Sequence, residues 1–508
     1  MSYFLGADIG TTSTKAIVFS ETGETKGICT EEYPLVVPQP GWAEQDPEMI
    51  LQAVVKAIRT AIAQSAIAPA EIAAVGLSAA THSLIAIDRS GNCLTRNIIW
   101  ADNRGLAQAE AFKQNPASHA LYRRTGAPIH PVSPVTKLMW MREKDPEIFQ
   151  KAARFISLKE YLLYRFFGVF AVDYSIASAG GFLNLNSLQW DAEALEIAGI
   201  QARQLSELVP TTHILRDLKP EYAQAMHLNP ATPFVVGACD GVLANLGVGA
   251  IELGQVAVTI GTSSAVRTVV SQPRTDEQAR TFCYALTENH WIIGGPSNNG
   301  GILLRWLRDN FCLLEVQQAQ QQGVDPYQVM IEAAAKIAPG AEGLICLPYL
   351  SGERAPHWNA RARGVFFGLG LHHNRSHLIR STLEGILFAV YSINSALEDL
   401  SGATQAFRAS GGFARSPIWL QLLADLCGCE VQVPAVTEGS GFGAAVLAMY
   451  AVGAIDRLEA VQQFVQIQDS YQPDRSKTEA YQRIYPLFDR LYRDNLDAFT
   501  QLARLNPA

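Results

Sequence analysis

The sequence contains one short phrase twice, as Asp8-Ile9-Gly10-Thr11-Thr12-Ser13 and as Thr259-Ile260-Gly261-Thr262-Ser263-Ser264. An apolar run precedes each copy and another follows it, which predicts two β-hairpins with turns of glycine and small hydroxyl residues. Glycine brings backbone N–H groups close to an anion, and the hydroxyls add further donors. Either copy alone could be an ordinary tight hairpin. Two copies, one in each half, favour a nucleotide held in a cleft between two related domains.

Composition and charge place the chain among large globular proteins. Its 508 residues exceed what one hydrophobic core usually supports, and 48% hydrophobic with 17% charged residues are globular proportions. The net charge of −8 offers no basic surface for nucleic acid or an anionic membrane. Eight cysteines without a Cys-x-x-Cys pair indicate neither a disulfide framework nor a structural zinc site. We expect a cytoplasmic protein with a small-molecule partner, no nucleic-acid or membrane partner, and a homodimer left open.

The order of apolar runs predicts an α/β fold. In the first half, strands are expected over residues 3–9, 14–19, about 26–36, 72–77 and 83–88, with a helix after Asp46-Pro47. In the second half, strands are expected over 256–260, 265–270 and 291–293, with helices from about 299, over 374–400 and from Ser416-Pro417 to Gly428. These patterns predict domains over 1–247 and 255–454 and a charged, helical tail over 455–508.

Two carboxylates follow apolar strands near the repeated turns. Asp8 ends the first strand, where it can meet a phosphate-bound Mg²⁺; a turn-initiating Asp is the alternative. Asp240 stands where an apolar strand breaks into a Gly-flanked turn and can take the proton of an attacking hydroxyl; a solvent-facing turn Asp is the alternative. Lys15 lies just past the first turn.

Polar side chains also follow later strands of the first half. Trp100-Ala101-Asp102-Asn103-Arg104 places four functional side chains within five positions, and His82 follows an earlier strand. Such groups suit a polyhydroxylated ligand, because each hydroxyl needs hydrogen-bond partners once it leaves water. A solvated turn is the alternative for the cluster, and a satisfied core histidine is the alternative for His82.

Glycine-rich turns in the second half are candidate contacts for an adenine or a ribose. Ser410-Gly411-Gly412 follows a strand and precedes a capped helix, and Gly300-Gly301 opens another helix. Packing glycines are the alternative at both places.

Longer strings agree with one known family. Its C-terminal signature fits Gly364-Val365-Phe366-Phe367-Gly368-Leu369, His377-Leu378 and Ser381-Thr382-Leu383-Glu384. Its N-terminal signature fits around Pro134, Lys137, Leu138 and Trp140, with Val132 where glycerol-phosphorylating relatives tend to carry an aromatic residue. On these strings the chain resembles the FGGY family of carbohydrate kinases over essentially its whole length. The resemblance implies an α/β fold of two related actin/hexokinase-like ATPase domains, ribonuclease H-like, with an interdomain cleft.

Within that family the likeness is greatest to the gluconate kinases. The strings are Trp100 to Arg104, Thr125-Gly126 with Pro128-Ile129-His130-Pro131, Ala285-Leu286-Thr287-Glu288-Asn289-His290-Trp291, and Gly352-Glu353-Arg354-Ala355-Pro356. Thr81 departs from the subgroup, which usually has Met before the His.

The resemblance implies roles for Asp240, Asp8, Thr11, Thr12, Gly261, Thr262, Gly301, Gly411 and Gly412, and the other contacts below are expected from the residue patterns. Asp240 matches the catalytic base and Asp8 the Mg²⁺-associated carboxylate. ATP is expected to contact Gly10, Thr11, Thr12, Ser13, Lys15, Gly261, Thr262, Gly301, Gly411 and Gly412. The substrate is expected to contact His82, Asp102, Arg104, His130, Lys137 and Asp240.

The implied reaction is transfer of the ATP γ-phosphoryl group to the terminal hydroxyl of D-gluconate. Because gluconate brings a carboxylate, a cation should meet it, and Arg104, Lys137 and the His82/His130 pair are the candidates. A kinase for a pentulose such as xylulose or ribulose is the near alternative. A non-catalytic, actin-like nucleotide switch is the distant one.

Overall fold

The computed structural model of the protein describes residues 2–435 and 438–505. These residues form two compact units. Unit 1 holds the described residues of Met1–Ile251, Val270–Ile293 and Glu438–Gln466, and unit 2 holds those of Glu252–Val269, Gly294–Thr437 and Ile467–Ala508. Each unit is therefore assembled from three separate stretches of chain.

The helices and strands follow one another in both halves of the chain. The strands up to residue 251 are β1 (Tyr3–Ile9), β2 (Ser13–Ser20), β3 (Thr25–Glu32), β4 (Glu44–Gln45), β5 (Ile72–Ala79), β6 (Ile85–Ile87), β7 (Asn97–Ile98), β8 (Arg154–Ile156), β9 (Ala171–Asp173), β10 (Leu183–Asn184), β11 (Gln189–Trp190), β12 (Glu207–Val209), β13 (Ile214–Leu215) and β14 (Phe234–Cys239). The helices there are α1 (Pro47–Ser65), α2 (Leu106–Lys113), α3 (Pro116–Thr125), α4 (Pro134–Lys144), α5 (Pro146–Lys151), α6 (Leu158–Phe167), α7 (Tyr174–Gly180), α8 (Ala192–Ala198), α9 (Pro220–Met226) and α10 (Asp240–Gly247).

The later strands are β15 (Gln255–Ile260), β16 (Ser264–Val270), β17 (Phe282–Thr287), β18 (His290–Ser297), β19 (Ile345–Leu347), β20 (Val365–Phe367), β21 (Ala406–Ser410), β22 (Glu430–Pro434) and β23 (Ile467–Tyr471). The later helices are α11 (Gly301–Phe311), α12 (Leu313–Gln322), α13 (Pro326–Ala335), α14 (Arg375–Ser401), α15 (Pro417–Cys427), α16 (Gly439–Ala451), α17 (Arg475–Asp494) and α18 (Leu496–Leu505). In the part of the chain that is described, no helix is both long and apolar enough to cross a membrane.

The main sheet of unit 1 has the strand order β13-β14-β5-β1-β2-β3. β1 runs parallel to β5 and antiparallel to β2, and β14 runs parallel to β5. Alternate residues of β1 face opposite sides, so Leu5 packs in one core with Ile58 of α1. On the other side, a Cβ on Gly6 would lie 1.9 Å from the carbonyl oxygen of Gly441, so glycine lets α16 approach. β1 is therefore covered on both faces, by α1 on one side and by α16 on the other.

The sheet of unit 2 repeats this plan. Five consecutive strands of this seven-stranded sheet run in the order β16-β15-β21-β22-β23. β15 is antiparallel to β16 and parallel to β21, β22 is parallel to β21, and β23 is antiparallel to β22. These directions match those of β2-β1-β5-β14-β13. The two predicted hairpins and the duplicated α/β fold are confirmed.

Most predicted helix boundaries are confirmed by their caps. Asp46 accepts hydrogen bonds from the N–H groups of Glu48 and Met49 at the start of α1. Ser416 caps the start of α15, and Gly428 ends it in the left-handed conformation.

Three predictions of secondary structure need correction. The strand expected over about 26–36 ends at Glu32, two residues before Pro34, which has no N–H to donate to a neighbouring strand. The strand expected over 83–88 is confined to Ile85–Ile87, because the Asp88 side chain accepts from Asn92 N and starts a turn. The tail, predicted as helical, contains β23 before its helices.

Candidate active site

The first repeated turn, between β1 and β2, is held by three side chains from other parts of unit 1. The Tyr33 hydroxyl donates to the Gly10 carbonyl at 2.6 Å. Gln45 donates through its amide to the Thr11 carbonyl, and the Trp100 indole N–H donates to Thr11 Oγ1 at 2.7 Å. Because the Thr11 hydroxyl accepts from Trp100, its own hydrogen points away from the indole. The polar cluster at Trp100 is thus joined directly to the predicted phosphate turn.

Replacing Trp100 with Phe tests this connection. The substitution keeps the aromatic ring and removes one hydrogen bond to Thr11, so we expect KM for the nucleotide to rise about fivefold. The measurement is steady-state kinetics with varied nucleotide, with Trp306→Phe, in α11, as the matched control that keeps wild-type KM. An unchanged KM in Trp100→Phe would contradict the connection.

Two candidate carboxylates lie within electrostatic reach of one another beside this turn. Asp8 accepts a hydrogen bond from the Ser78 hydroxyl at 2.7 Å. Burial raises the pKa of Asp8 to about 6, and the negative charges of Asp240 and Glu438 add to that rise. Lys15 opposes it and pairs with Glu438, with 2.5 Å between Nζ and Oε2. Sequence reasoning missed Glu438, which lies 423 residues from Lys15 along the chain.

The acidic pair Asp8 and Asp240 fits a magnesium ion bound together with phosphate. Carboxylate oxygens are ligands that Mg²⁺ prefers, and a cation here offsets the repulsion that raises the pKa of Asp8. Among the described residues, no three His, Cys, Asp or Glu side chains form a metal-binding group.

Asp240 is the first residue of α10 and directly follows β14. One carboxylate oxygen accepts from the Gly241 N–H at 2.7 Å, and the Asp240 carbonyl accepts from the Ser440 hydroxyl at 3.1 Å. The residue is half-buried. Asp240 thus lies at a strand end with its backbone and side chain both held, which suits a base that must keep one direction.

His82 has an unusual backbone and a well-held ring. Its φ of 64° lies in the left-handed region, which is uncommon outside glycine. Nδ1 lies 2.7 Å from the Thr81 hydroxyl, and Nε2 lies 3.1 Å from the Tyr284 hydroxyl. Tyr284, from β17, stacks on Phe282 with 4.1 Å between ring centroids. Sequence reasoning missed Tyr284, although it directly precedes the quoted string from Ala285.

Lys137 is buried and already has its hydrogen-bond partners. Its ammonium donates to the carbonyl of His82 at 2.6 Å and to those of Ile98 and Ile99 at 3.5 and 2.8 Å. Burial lowers the pKa of Lys137 to about 7. Lys137 thus holds the left-handed backbone of His82, which argues against its meeting a substrate carboxylate.

Arg104 and Asp102 form a buried ion pair. The Arg104 side chain is 4% exposed and bonds to Asp102 at 2.8 Å and to Glu44 at 2.6 Å. Its guanidinium lies over the ring of Trp42 at 3.9 Å. His130 is also buried, and its Nδ1 accepts from the Val132 N–H at 3.3 Å. Of the predicted substrate contacts other than Asp240, the side chains of Asp102, Arg104, His130 and Lys137 are thus buried, whereas His82 is partly exposed.

The second repeated turn, in unit 2, is joined to the start of α11. The Gly261 carbonyl accepts from the Gly301 N–H at 2.7 Å, and the Thr262 carbonyl accepts from the Ile302 N–H at 3.1 Å. A Cβ on Gly301 would lie 2.8 Å from the Gly261 oxygen, so glycine permits this approach. The predicted contacts Gly261, Thr262 and Gly301 thus lie together.

The turn after β21 lies next to the same hairpin. The Ser410 hydroxyl is 2.9 Å from that of Thr259, which joins the end of β21 to the end of β15. Gly411 has a φ of 91°, and Gly412 is exposed with no atom within 4 Å of an added Cβ. This open, glycine-lined surface suits a flat ligand such as a nucleoside.

Glu353 supports the turn before α11 and is fully buried. Its carboxylate accepts from the Ser297 hydroxyl at 2.7 Å, from the Asn298 N–H at 3.1 Å and from the Asn299 amide at 3.3 Å. These residues lead directly into Gly300-Gly301. Glu353, which belongs to the string Gly352 to Pro356 quoted above, therefore supports the second repeated turn.

Glu353 also links stability to pH. Burial raises its pKa from 4.5 to about 7. The folded protein therefore binds this proton more tightly than the unfolded chain, and the resulting stability is complete below about pH 4.5 and is lost as pH rises through about 7. We expect Glu353 to lower the free energy of unfolding by at most about 3 kcal/mol across that interval. Urea unfolding at several pH values should show that the free energy of unfolding depends less on pH in Glu353→Gln than in wild type. The control is the exposed Glu332→Gln, which should behave as wild type. The same pH dependence in wild type and both variants would contradict this prediction.

Comparison with known proteins places the whole chain in one family. The descriptions "FGGY family of carbohydrate kinases, N-terminal domain" and "C-terminal domain" match residues 3–247 and 256–452. The gluconokinase of Bacillus subtilis (strain 168) is 46% identical over 99% of this chain and 98% of its own length. Two solved structures from Lactobacillus acidophilus, a ligand-bound xylulose kinase and a gluconate kinase, are each 34% identical to this chain with a TM-score of 0.93. Each alignment covers 99% of this chain; it covers 100% of the xylulose kinase chain and 99% of the gluconate kinase chain. The chain belongs to the FGGY family of carbohydrate kinases.

Proposed function

We propose that this kinase transfers the γ-phosphoryl group of ATP to the terminal hydroxyl of D-gluconate, giving 6-phospho-D-gluconate and ADP. The observation that carries the proposal is the full-length likeness to a gluconokinase at 46% identity. The proposal places the protein in the cytoplasm, where ATP is available, and leaves a homodimer open.

In the proposed reaction, Asp240 accepts the proton of the terminal hydroxyl. The hydroxyl oxygen forms a bond to the γ-phosphorus, the bond from that phosphorus to the β–γ bridging oxygen breaks, and ADP leaves with the electron pair. The partners of Asp240 support this role, because the Gly241 N–H and the Ser440 hydroxyl fix the residue at the end of β14.

The two repeated turns would supply donors to the phosphates of ATP. In unit 1 these are the backbone and hydroxyls of Gly10 to Ser13, with Lys15 nearby; in unit 2 they are Gly261 and Thr262. Gly301, Gly411 and Gly412 would contact the nucleoside. Asp8 would hold Mg²⁺, which when bound offsets the negative charge of the phosphates.

For the sugar acid we propose His82 and Tyr284 as polar contacts. The Lys137 and Arg104 side chains are buried and pair with carbonyl or carboxylate groups, whereas His82 is partly exposed and its ring pairs with the neutral hydroxyls of Thr81 and Tyr284. Thr81 sets the direction of this ring through Nδ1. A Met at position 81 would lack that hydroxyl, so Thr81 gives the His82 ring a partner that Met could not provide.

The test compares substrates by ADP release with ATP and Mg²⁺. We expect kcat/KM for D-gluconate to exceed those for xylulose, ribulose and glycerol by at least about 100-fold, because a site with polar groups placed for one ligand rejects ligands that leave those groups unpaired. A higher value for a pentulose would overturn the substrate assignment and favour the alternative that the ligand-bound xylulose kinase represents, whose fold is equally similar.

A further inference from the structure

Two fully buried charges lie beside β14, the strand that ends immediately before Asp240. Lys159 of α6 and Asp173, the last residue of β9, form an ion pair with 2.6 Å between Nζ and Oδ2. Their side chains are 1% and 0% exposed. Neither was among the residues that the sequence singled out, and the reaction proposed above does not use them directly.

This pair is bonded to the backbone that directly precedes Asp240. The Lys159 ammonium donates to the Ala238 carbonyl at 3.2 Å. Asp173 accepts from the Ser175 N–H at 3.0 Å, and the Ser175 hydroxyl accepts from the Cys239 N–H at 2.9 Å. Both residues before Asp240 are therefore held by side chains from β9, α6 and α7.

β14 is irregular at this point, which explains why such support matters. Its register with β5 shifts between Val235 and Ala238, and Gly237 has a φ of 74°. Bulges of this kind change the direction of a strand end and of the side chain that follows. After the shift, Ala238 and Cys239 pair with Ser78 and Ala79 of β5, and the bonds from Lys159 and Ser175 hold the same two residues in addition.

The chemistry of the pair favours a geometric role over a contribution to stability. Removing two charges from water costs about as much as their attraction returns, so an apolar pair of similar volume would stabilise the fold equally well. An ammonium group, by contrast, can hold a carboxylate and a backbone carbonyl at the same time.

We propose that Lys159, Asp173 and Ser175 are positioning residues that fix the direction of Asp240. The inference rests on the proposed function in which Asp240 is the catalytic base. None of the three is expected to touch substrate or nucleotide, so their loss should affect kcat far more than binding.

The test uses the full chain with two variants. Lys159→Met with Asp173→Asn removes both charges together, so neither is left unpaired, and Asn can still cap α7. Ser175→Ala removes only the acceptor of the Cys239 N–H and is the variant expected to fold in every case. Binding-competent protein is counted by titration with MgADP, and kcat per nucleotide site is measured with D-gluconate. We expect kcat per site to fall about 10- to 100-fold in the double variant and about fivefold in Ser175→Ala, with KM and MgADP affinity changed less than about twofold.

The matched control is the buried pair Arg380 and Glu384 in unit 2, with 2.7 Å between Nε and Oε1. Arg380→Met with Glu384→Gln removes both charges of a buried pair in the same way and should leave kcat per site unchanged. If the double variant keeps kcat per site within about twofold of wild type, the inference is overturned. If the double variant does not fold, a kcat per site of Ser175→Ala within about twofold of wild type overturns the inference. Wild-type protein inactive with gluconate overturns the proposed function instead, and the comparison is then made with the pentulose that is phosphorylated.

Discussion

Asp240→Asn is expected to lower kcat by about 100- to 10,000-fold while MgADP affinity stays near the wild-type value. The carboxamide cannot accept the proton of the attacking hydroxyl, whereas its size keeps the contacts at the start of α10. The measurement is kcat for ADP release with D-gluconate, together with MgADP titration of the same preparation.

A matched control separates this effect from a general loss of charge. Asp88 lies in an exposed turn of the same unit, where its side chain accepts from the Ser90 and Asn92 N–H groups. Asp88→Asn should keep kcat within about twofold of wild type. An Asp240→Asn protein that keeps more than about a tenth of the wild-type rate would remove the assignment of the base.

Gly237→Ala is expected to destabilise unit 1 by at least about 3 kcal/mol. A Cβ at this position would lie 1.7 Å from the carbonyl oxygen of Leu77 on β5, and the φ of 74° is itself unfavourable for alanine. Because the obstacle is backbone in the neighbouring strand, no side chain can move aside. The measurement is urea unfolding followed by circular dichroism.

Gly412→Ala is the control for this prediction. An added Cβ there meets no atom within 4 Å, so the free energy of unfolding should change by less than about 0.5 kcal/mol. Equal stability of the Gly237→Ala and wild-type proteins would show that the bulge in β14 can relax, and would weaken the account of how Asp240 is directed.

The fold was predictable wherever the sequence signal is local. Both hairpins follow from an apolar run, a Gly-Thr turn and a second apolar run, and the start of α1 follows from Asp46-Pro47. β23 was missed because Ile467–Tyr471 is an exposed edge strand with little apolar alternation. The division into compact units was not visible either, because α16 lies near the end of the sequence and packs on β1 of unit 1.

The candidate site was predictable by residue type but not by partner. The sequence identifies Lys137 and Arg104 as cationic, but it does not show that Lys137 binds three carbonyls or that Arg104 binds Asp102 and Glu44. The partners Glu438 and Tyr284 lie hundreds of residues from Lys15 and His82 in the chain. Only the three-dimensional structure brings such distant residues together, and it leaves His82 as the proposed contact for the sugar acid.

Phosphorylation of D-gluconate is tested most directly by ³¹P NMR of the mixture after wild-type protein has acted on ATP, Mg²⁺ and D-gluconate. We expect one phosphomonoester, 6-phospho-D-gluconate, formed in equal amount with ADP, and no ADP without the sugar acid. Phosphate release without a sugar phosphate, or no reaction at all, would contradict it and would favour a nucleotide switch over a gluconate kinase.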